Sequence, residues 1–158
     1  MTPFIIVKDV EKSFGGQPAL QQVNFSIHQG EIVGLVGPNG SGKTTLIRLL
    51  NGVIAPDRGS ITIDGRNPIR DGKAIRARCG TLTEEAGLYE ELTAYQNLLF
   101  FSKLYHVEDR SRIEQLLKQL HLSEHQHKKV GTYSTGMKKR LQLAKVLLHQ
   151  PNFLFLDE

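Results

Sequence analysis

The chain has 158 residues, 39% hydrophobic and 23% charged, with a formal net charge of +4. That suits one domain with a sizeable core and ordinary soluble composition, and 15 glycines against 6 prolines do not suggest disorder. A single cysteine, Cys79, excludes an internal disulfide and points to a cytosolic setting. No basic leader precedes the apolar run at residues 4–7, and no stretch reaches the roughly 20 apolar residues of a spanning helix. Any membrane role is therefore expected to come through a partner.

In chain order, strands are predicted at residues 4–8, 23–27, 31–36 and 60–64, with turns at Gly15-Gly16 and Gln29-Gly30. Residues 23–27 alternate apolar and polar, as a half-buried antiparallel strand does. Between the third strand and a helix at 44–50 lies Gly37-Pro38-Asn39-Gly40-Ser41-Gly42-Lys43-Thr44. It fits G-x-x-x-x-G-K-[ST], the phosphate-binding P-loop, at the strand-to-helix turn its chemistry requires. Glycines let backbone N–H groups wrap a triphosphate, and the helix N-terminus adds positive potential. Lys43 is expected at the β- and γ-phosphates and the Thr44 hydroxyl on Mg²⁺, with Thr45 helping to hold the loop. Asn51-Gly52 is the expected helix C-cap. A glycine-rich turn that binds nothing is the bland alternative.

The middle of the chain reads as helical. Thr93-Ala94-Tyr95-Gln96 fits a capping box ahead of residues 98–104, and Ser111-Arg112-Ile113-Glu114 offers another. Ile113, Leu116, Leu117 and Leu120 follow as an amphipathic stripe. A last helix is predicted over 138–149, stopped by Pro151, before the apolar strand Phe153-Leu154-Phe155-Leu156 and the carboxylates Asp157 and Glu158. That ending looks like a Walker B segment, and the sequence is expected to be cut there.

Just before the last helix stands Tyr133-Ser134-Thr135-Gly136-Met137-Lys138-Lys139-Arg140. It is similar to the ABC signature segment, usually L-S-G-G-Q; alone, Ser134 could merely cap a helix. Read in order, the motifs resemble the nucleotide-binding domain of an ABC transporter from about Phe4 to the last residue. The resemblance implies an α/β, RecA-like P-loop NTPase fold with an antiparallel β subdomain and a helical subdomain, its C-terminal part missing. It divides residues 1–158 into a β subdomain and P-loop core (1–83), a helical subdomain (84–133), and the signature helix with the Walker B strand (134–158).

The resemblance also assigns roles. Phe14 stands where the family stacks an aromatic on adenine. Gly37, Pro38, Asn39, Gly40, Ser41, Gly42, Lys43, Thr44 and Thr45 bind ATP. Asp157 holds Mg²⁺, and Glu158 is the general base for in-line transfer of the γ-phosphoryl group to water. Ser134 and Gly136 match positions that meet the γ-phosphate across a head-to-tail dimer. Thr135 and Met137 depart from the usual signature. Glu84 stands where the Q-loop glutamine is usual and is assigned to the metal. The D-loop and switch histidine that normally follow Walker B do not occur, and all six histidines lie upstream. In such folds the P-loop and Walker B strands are not neighbours; the strand carrying the later sensor lies between them.

Glu84-Glu85-Ala86-Gly87-Leu88-Tyr89 with Leu92-Thr93 looks most like ABC-2 type exporters, which move drugs, antibiotics, sodium or polysaccharides. The implied partners are a second ABC ATPase subunit, as a homodimer, and an integral membrane permease. The implied location is cytoplasmic, peripheral on the inner face of the membrane. Leu88, Tyr89 and Leu92 are candidates for the permease contact, with core packing as the alternative. Residues 65–80 hold five cations against one acid, and residues 125–156 six against none. No aromatic interleaving accompanies them, which disfavours nucleic acid. Two other readings are kept: a soluble ABC ATPase of translation or DNA maintenance, and a non-catalytic truncated remnant.

Overall fold

The structure, a computed structural model, describes residues 3–82 and 87–156. It forms two compact units, Met1–Arg76 and Ala77–Glu158.

The first unit is built on an antiparallel sheet. β1 (Ile5–Phe14) and β2 (Gln17–Ile27) form a hairpin, and β3 (Arg58–Ile63) pairs with the other edge of β1. Gly15 and Gly16 turn the hairpin, both at positive φ. The hairpin reaches well beyond the expected strands at 4–8 and 23–27. Val23, Phe25 and Ile27 are half-buried and Asn24 and Ser26 exposed, so the expected alternation is present. A bulge interrupts β1 between Val7 and Val10, where Asp9 has φ 47° and exchanges two 2.9 Å hydrogen bonds with the Asn24 side chain. Gly59 of β3 passes so close that a Cβ there would lie 2.3 Å from the Asp9 carbonyl oxygen.

α1 (Lys43–Leu50) buries Leu46, Leu49 and Leu50. Each such leucine contributes about 1.5–3 kcal/mol on burial. The Asn51-Gly52 C-cap forms as expected. Gly52 N–H donates to Leu49 and Val53 N–H to Arg48, with Gly52 at φ +66°, which is a complete Schellman motif. The short α2 (Gly72–Arg76) buries Gly72 and Ile75.

The strand expected at 31–36 does not form. Glu31 instead closes a turn, its carboxylate accepting from His28 N–H at 2.8 Å. Ile32 and Val36 are 101% and 94% exposed. A strand needs a neighbour to pair with, and none among the described residues hydrogen-bonds to this segment as a strand.

The second unit holds β4 (Cys79–Leu82), α3 (Ala94–Leu104), α4 (Ser111–Gln119), α5 (Thr135–Leu147) and β5 (Phe153–Leu156), with 3₁₀ turns at Ser123–His125 and Val130–Thr132. β4 and β5 pair in parallel, from Cys79 with Phe153 to Leu82 with Leu156. The three helices enclose a core that includes Leu98, Ile113, Leu116, Leu117, Leu141 and Leu148. The Thr93–Gln96 capping box is present in both directions, at 2.9 and 3.1 Å. The box expected at Ser111 is not. Ser111 is already helical, and Asp109 accepts from its N–H at 2.9 Å instead. No helix among the described residues is long and apolar enough to cross a membrane.

Candidate functional site

The loop 37–42 enters α1 through Gly42, which takes the N-cap position at φ 88° with no side-chain cap. The first-turn N–H groups of α1 have no intrahelical acceptor, so they form an anion-facing end. Only glycine fits at the cap. A Cβ on Gly42 would lie 2.6 Å from the Ala19 carbonyl oxygen and 2.7 Å from Leu20 Cδ2. Gly40 is also left-handed, at φ +81°, while a Cβ on Gly37 would meet Ser41 Oγ at 2.7 Å. Ser41 N–H donates to Pro38 at 3.2 Å, tightening the loop.

Lys43 curls back over this ring, its ammonium donating to the carbonyl oxygens of Gly37 at 2.7 Å and Pro38 at 2.8 Å. Asn39 and Thr44 are exposed and Thr45 is half-buried. The loop therefore combines a close-packed glycine backbone, a cation and a free threonine hydroxyl, a donor set that fits a polyphosphate.

Phe14 ends β1 and is 49% exposed, with the Lys12 ammonium 5.5 Å from its ring centre. It belongs to the same unit as the loop. Gly42 packs on Ala19 and Leu20, and Leu20 pairs with Lys12, two residues before Phe14. Lys12 is held by Asp57 at 2.7 Å, and Asp57 also accepts from Ser13 N–H at 2.7 Å. The hydrogen bonds from Lys12 and from the Ser13 N–H hold the Asp57 carboxyl below the usual carboxylate range.

In the second unit, Ser134 is the N-cap of α5, accepting from Met137 N–H at 3.3 Å. The helix thus begins at Thr135, three residues before the expected start at 138. Ser134, Thr135 and Gly136 are exposed, and a Cβ on Gly136 would meet nothing within 4 Å. The segment is anchored from behind. Tyr133 is buried and its hydroxyl donates to the His125 carbonyl at 2.7 Å. Lys138 pairs with Glu90, and Arg140 donates to the Leu120 carbonyl at 3.2 Å. Glu84, Asp157 and Glu158 lie outside the described residues. Among the described residues no group of three His, Cys, Asp or Glu could hold a metal ion.

Sequence reading missed Asn97. It is fully buried, and its amide donates to the carbonyls of Tyr89 and Thr93 at 2.9 Å while its oxygen accepts from Tyr89 N–H at 2.8 Å. It locks the turn 89–93 that precedes α3. A polar residue within the apolar run 98–104 would have been the signal, but Asn97 lies one residue ahead of it. Of the three apolar candidates near this turn, Leu88 packs against the helical core and Leu92 is half-buried. Tyr89 is exposed, with its ring 5.0 Å from that of Phe100.

The family model described as ABC transporter matches residues 20–158. The chain belongs to this family. It is 40% identical over 158 residues to the bacitracin transport ATP-binding protein BcrA of Bacillus licheniformis, covering all of this chain and 52% of that protein. It is 41% identical over 157 residues to the daunorubicin resistance ATP-binding protein DrrA3 of Streptomyces coeruleorubidus, covering 98% and 50%. The chain thus spans about half the length of the curated relatives it matches. Among solved structures it is similar to cbiO1 from Clostridium perfringens, described as part of the ABC transporter complex cbiONQ. There the TM-score is 0.88 at 27% identity, covering 100% of this chain and 66% of that one. The α/β P-loop fold of an ABC ATP-binding domain, expected from the motifs, is the fold found. Its family is one of ATP-binding subunits of transporters, which agrees with the loop at 37–45.

Proposed function

We propose that the chain works as the ATP-binding subunit of an ABC exporter, binding and hydrolysing ATP as a head-to-tail homodimer that drives a separate membrane permease. The observation that carries this reading is the loop 37–45, where Gly42 is a left-handed, uncapped helix start and Lys43 a cation already turned onto the loop. The named activities of the relatives, bacitracin transport and daunorubicin resistance, support drug export as the class.

In this reading the N–H groups of residues 37–45 bind the phosphates, and Lys43 leaves the Gly37 and Pro38 carbonyls to meet the β- and γ-phosphates. Phe14 stacks on adenine. Ser134 and Gly136 of one copy close on the ATP of the other, which their exposure at the start of α5 permits. Thr44, Glu84 and Asp157 would hold Mg²⁺, which supplies charge neutralisation between the phosphates. Glu158 accepts a proton from the attacking water. The subdivision into 1–83, 84–133 and 134–158 and the peripheral, cytoplasmic location belong to the same proposal. So does Tyr89 as part of the permease contact.

The test is Glu158→Gln. The amide is nearly isosteric but cannot take the proton. Size-exclusion with ATP and Mg²⁺ should show a stable dimer that retains ATP and turns none over. A monomer with unchanged turnover would remove Glu158 from the role.

A further inference from the structure

We infer that the cationic face of residues 66–76 contacts an anionic membrane surface. The backbone there is helical in character before α2 begins: Asp71 N–H donates to Asn67 at 2.8 Å and Ile75 N–H to Asp71 at 3.1 Å. Pro68, Gly72 and Ile75 therefore fall on one buried face. Arg66, Arg70 and Lys73 are exposed, and none takes part in an ion pair among the described residues. The one acid of the segment, Asp71, is used locally, accepting from Asn67 N–H at 3.0 Å. The turn is rigid as well as charged, since the Asn67 side chain accepts from Ile69 N–H at 2.9 Å and Arg70 N–H at 3.2 Å.

Two exposed apolar side chains accompany these cations. Ile69 is 46% exposed and Val53 65%. Gly52 sits so close to Pro68 that a Cβ would lie 2.1 Å from its carbonyl oxygen, which brings the chain leading to Val53 against the chain leading to Ile69. Long cationic side chains around a small apolar tip suit a plane of anionic headgroups over an apolar layer. Nucleic acid is the weaker fit, because no Phe, Tyr or Trp occurs between residues 26 and 88 to stack on a base.

The experiment is flotation of the chain with phosphatidylglycerol-containing vesicles and with pure phosphatidylcholine vesicles. Three variants accompany the parent: Arg66→Glu/Arg70→Glu/Lys73→Glu, Ile69→Ser, and the control Lys103→Glu/Lys128→Glu/Lys139→Glu, with the same change in net charge. Circular dichroism checks that each is folded. Binding should require the anionic lipid, fall with salt, and weaken at least about tenfold in the first triple variant but not in the control. Ile69→Ser should weaken it while keeping the salt dependence. Equal binding to both vesicle types, or equal loss in the control, overturns the inference. So does displacement from the anionic vesicles by single-stranded RNA that itself depends on Arg66, Arg70 and Lys73. ATP binding is read separately, so failure here leaves the nucleotide site untouched.

Discussion

The Lys43 ammonium lies 2.7 Å from the carbonyl oxygen of Gly37, the first residue of its own loop. The only side-chain cation of the loop is thus satisfied by the backbone it encircles. The contact ties the end of the loop back to its beginning. Lys43 donates charge-assisted hydrogen bonds to either kind of acceptor, so what a phosphate adds over a carbonyl is its own negative charge opposite the ammonium.

Gly42→Ala should damage both stability and binding. The backbone there is at φ 88°, and the new methyl would face the Ala19 carbonyl oxygen at 2.6 Å, a neighbour that cannot swing aside. Left-handed strain alone costs about 1–2 kcal/mol, and the clash adds to it. Thermal melting should show a lower midpoint, and nucleotide titration a weaker affinity. Unchanged values in both would mean the cap conformation is not required.

Asn97→Ala should cost about 1–3 kcal/mol, because it leaves the part-buried Tyr89 N–H without its acceptor, while the Tyr89 carbonyl keeps the Leu92 N–H. Urea denaturation should show a lower midpoint with an unchanged slope. A midpoint within error of the parent would show that the turn 89–93 holds itself.

The glycine loop leading into α1, the α1 C-cap, the Thr93 capping box and the alternation of β2 are legible because each is a local rule. A residue type at fixed spacing meets a backbone need within a few residues. What failed depended on partners elsewhere. Residues 31–36 have strand composition, but composition does not supply a neighbouring strand. Ser111 and Glu114 have capping-box spacing, yet Asp109 reaches the helix start first. α5 starts three residues ahead of its expected start at 138, because its apolar stripe begins only after the cap at Ser134. Asn97 was invisible because its partners follow from burial, not from spacing.

Cys79 should resist alkylation in the folded chain. Burial pushes its thiol up to about 11, against a Thr81 hydrogen bond that pulls the other way. Iodoacetamide at pH 8 should label it only after urea is added. The raised thiol contributes fully to stability below the ordinary thiol range and loses that contribution as pH rises from about 9 towards 11. Urea midpoints should therefore fall across that window, and less so in Cys79→Ala. Rapid labelling of the native chain at pH 8 would contradict the burial.

Residues 31–36 should make the isolated 158-residue chain sticky. Ile32, Val33, Leu35 and Val36 are exposed, and no strand pairs with them among the described residues. We expect strong dye binding by anilinonaphthalene sulfonate and self-association that grows with concentration. Ile32→Ser/Val36→Ser should reduce dye binding. Weak dye binding by the parent, unchanged in the double variant, would mean that another segment covers this stretch.

Equilibrium titration of a fluorescent ATP analogue against the parent and Lys43→Ala, at concentrations low enough to keep the chain dispersed, tests the nucleotide site most directly. The loop geometry predicts saturable binding by the parent, competed by unlabelled ATP. In Lys43→Ala that binding should weaken at least about tenfold, the loss of one charge-assisted contact or more. Equal affinity of the two proteins, or binding that ATP does not compete, would contradict the assignment of residues 37–45 as the phosphate site.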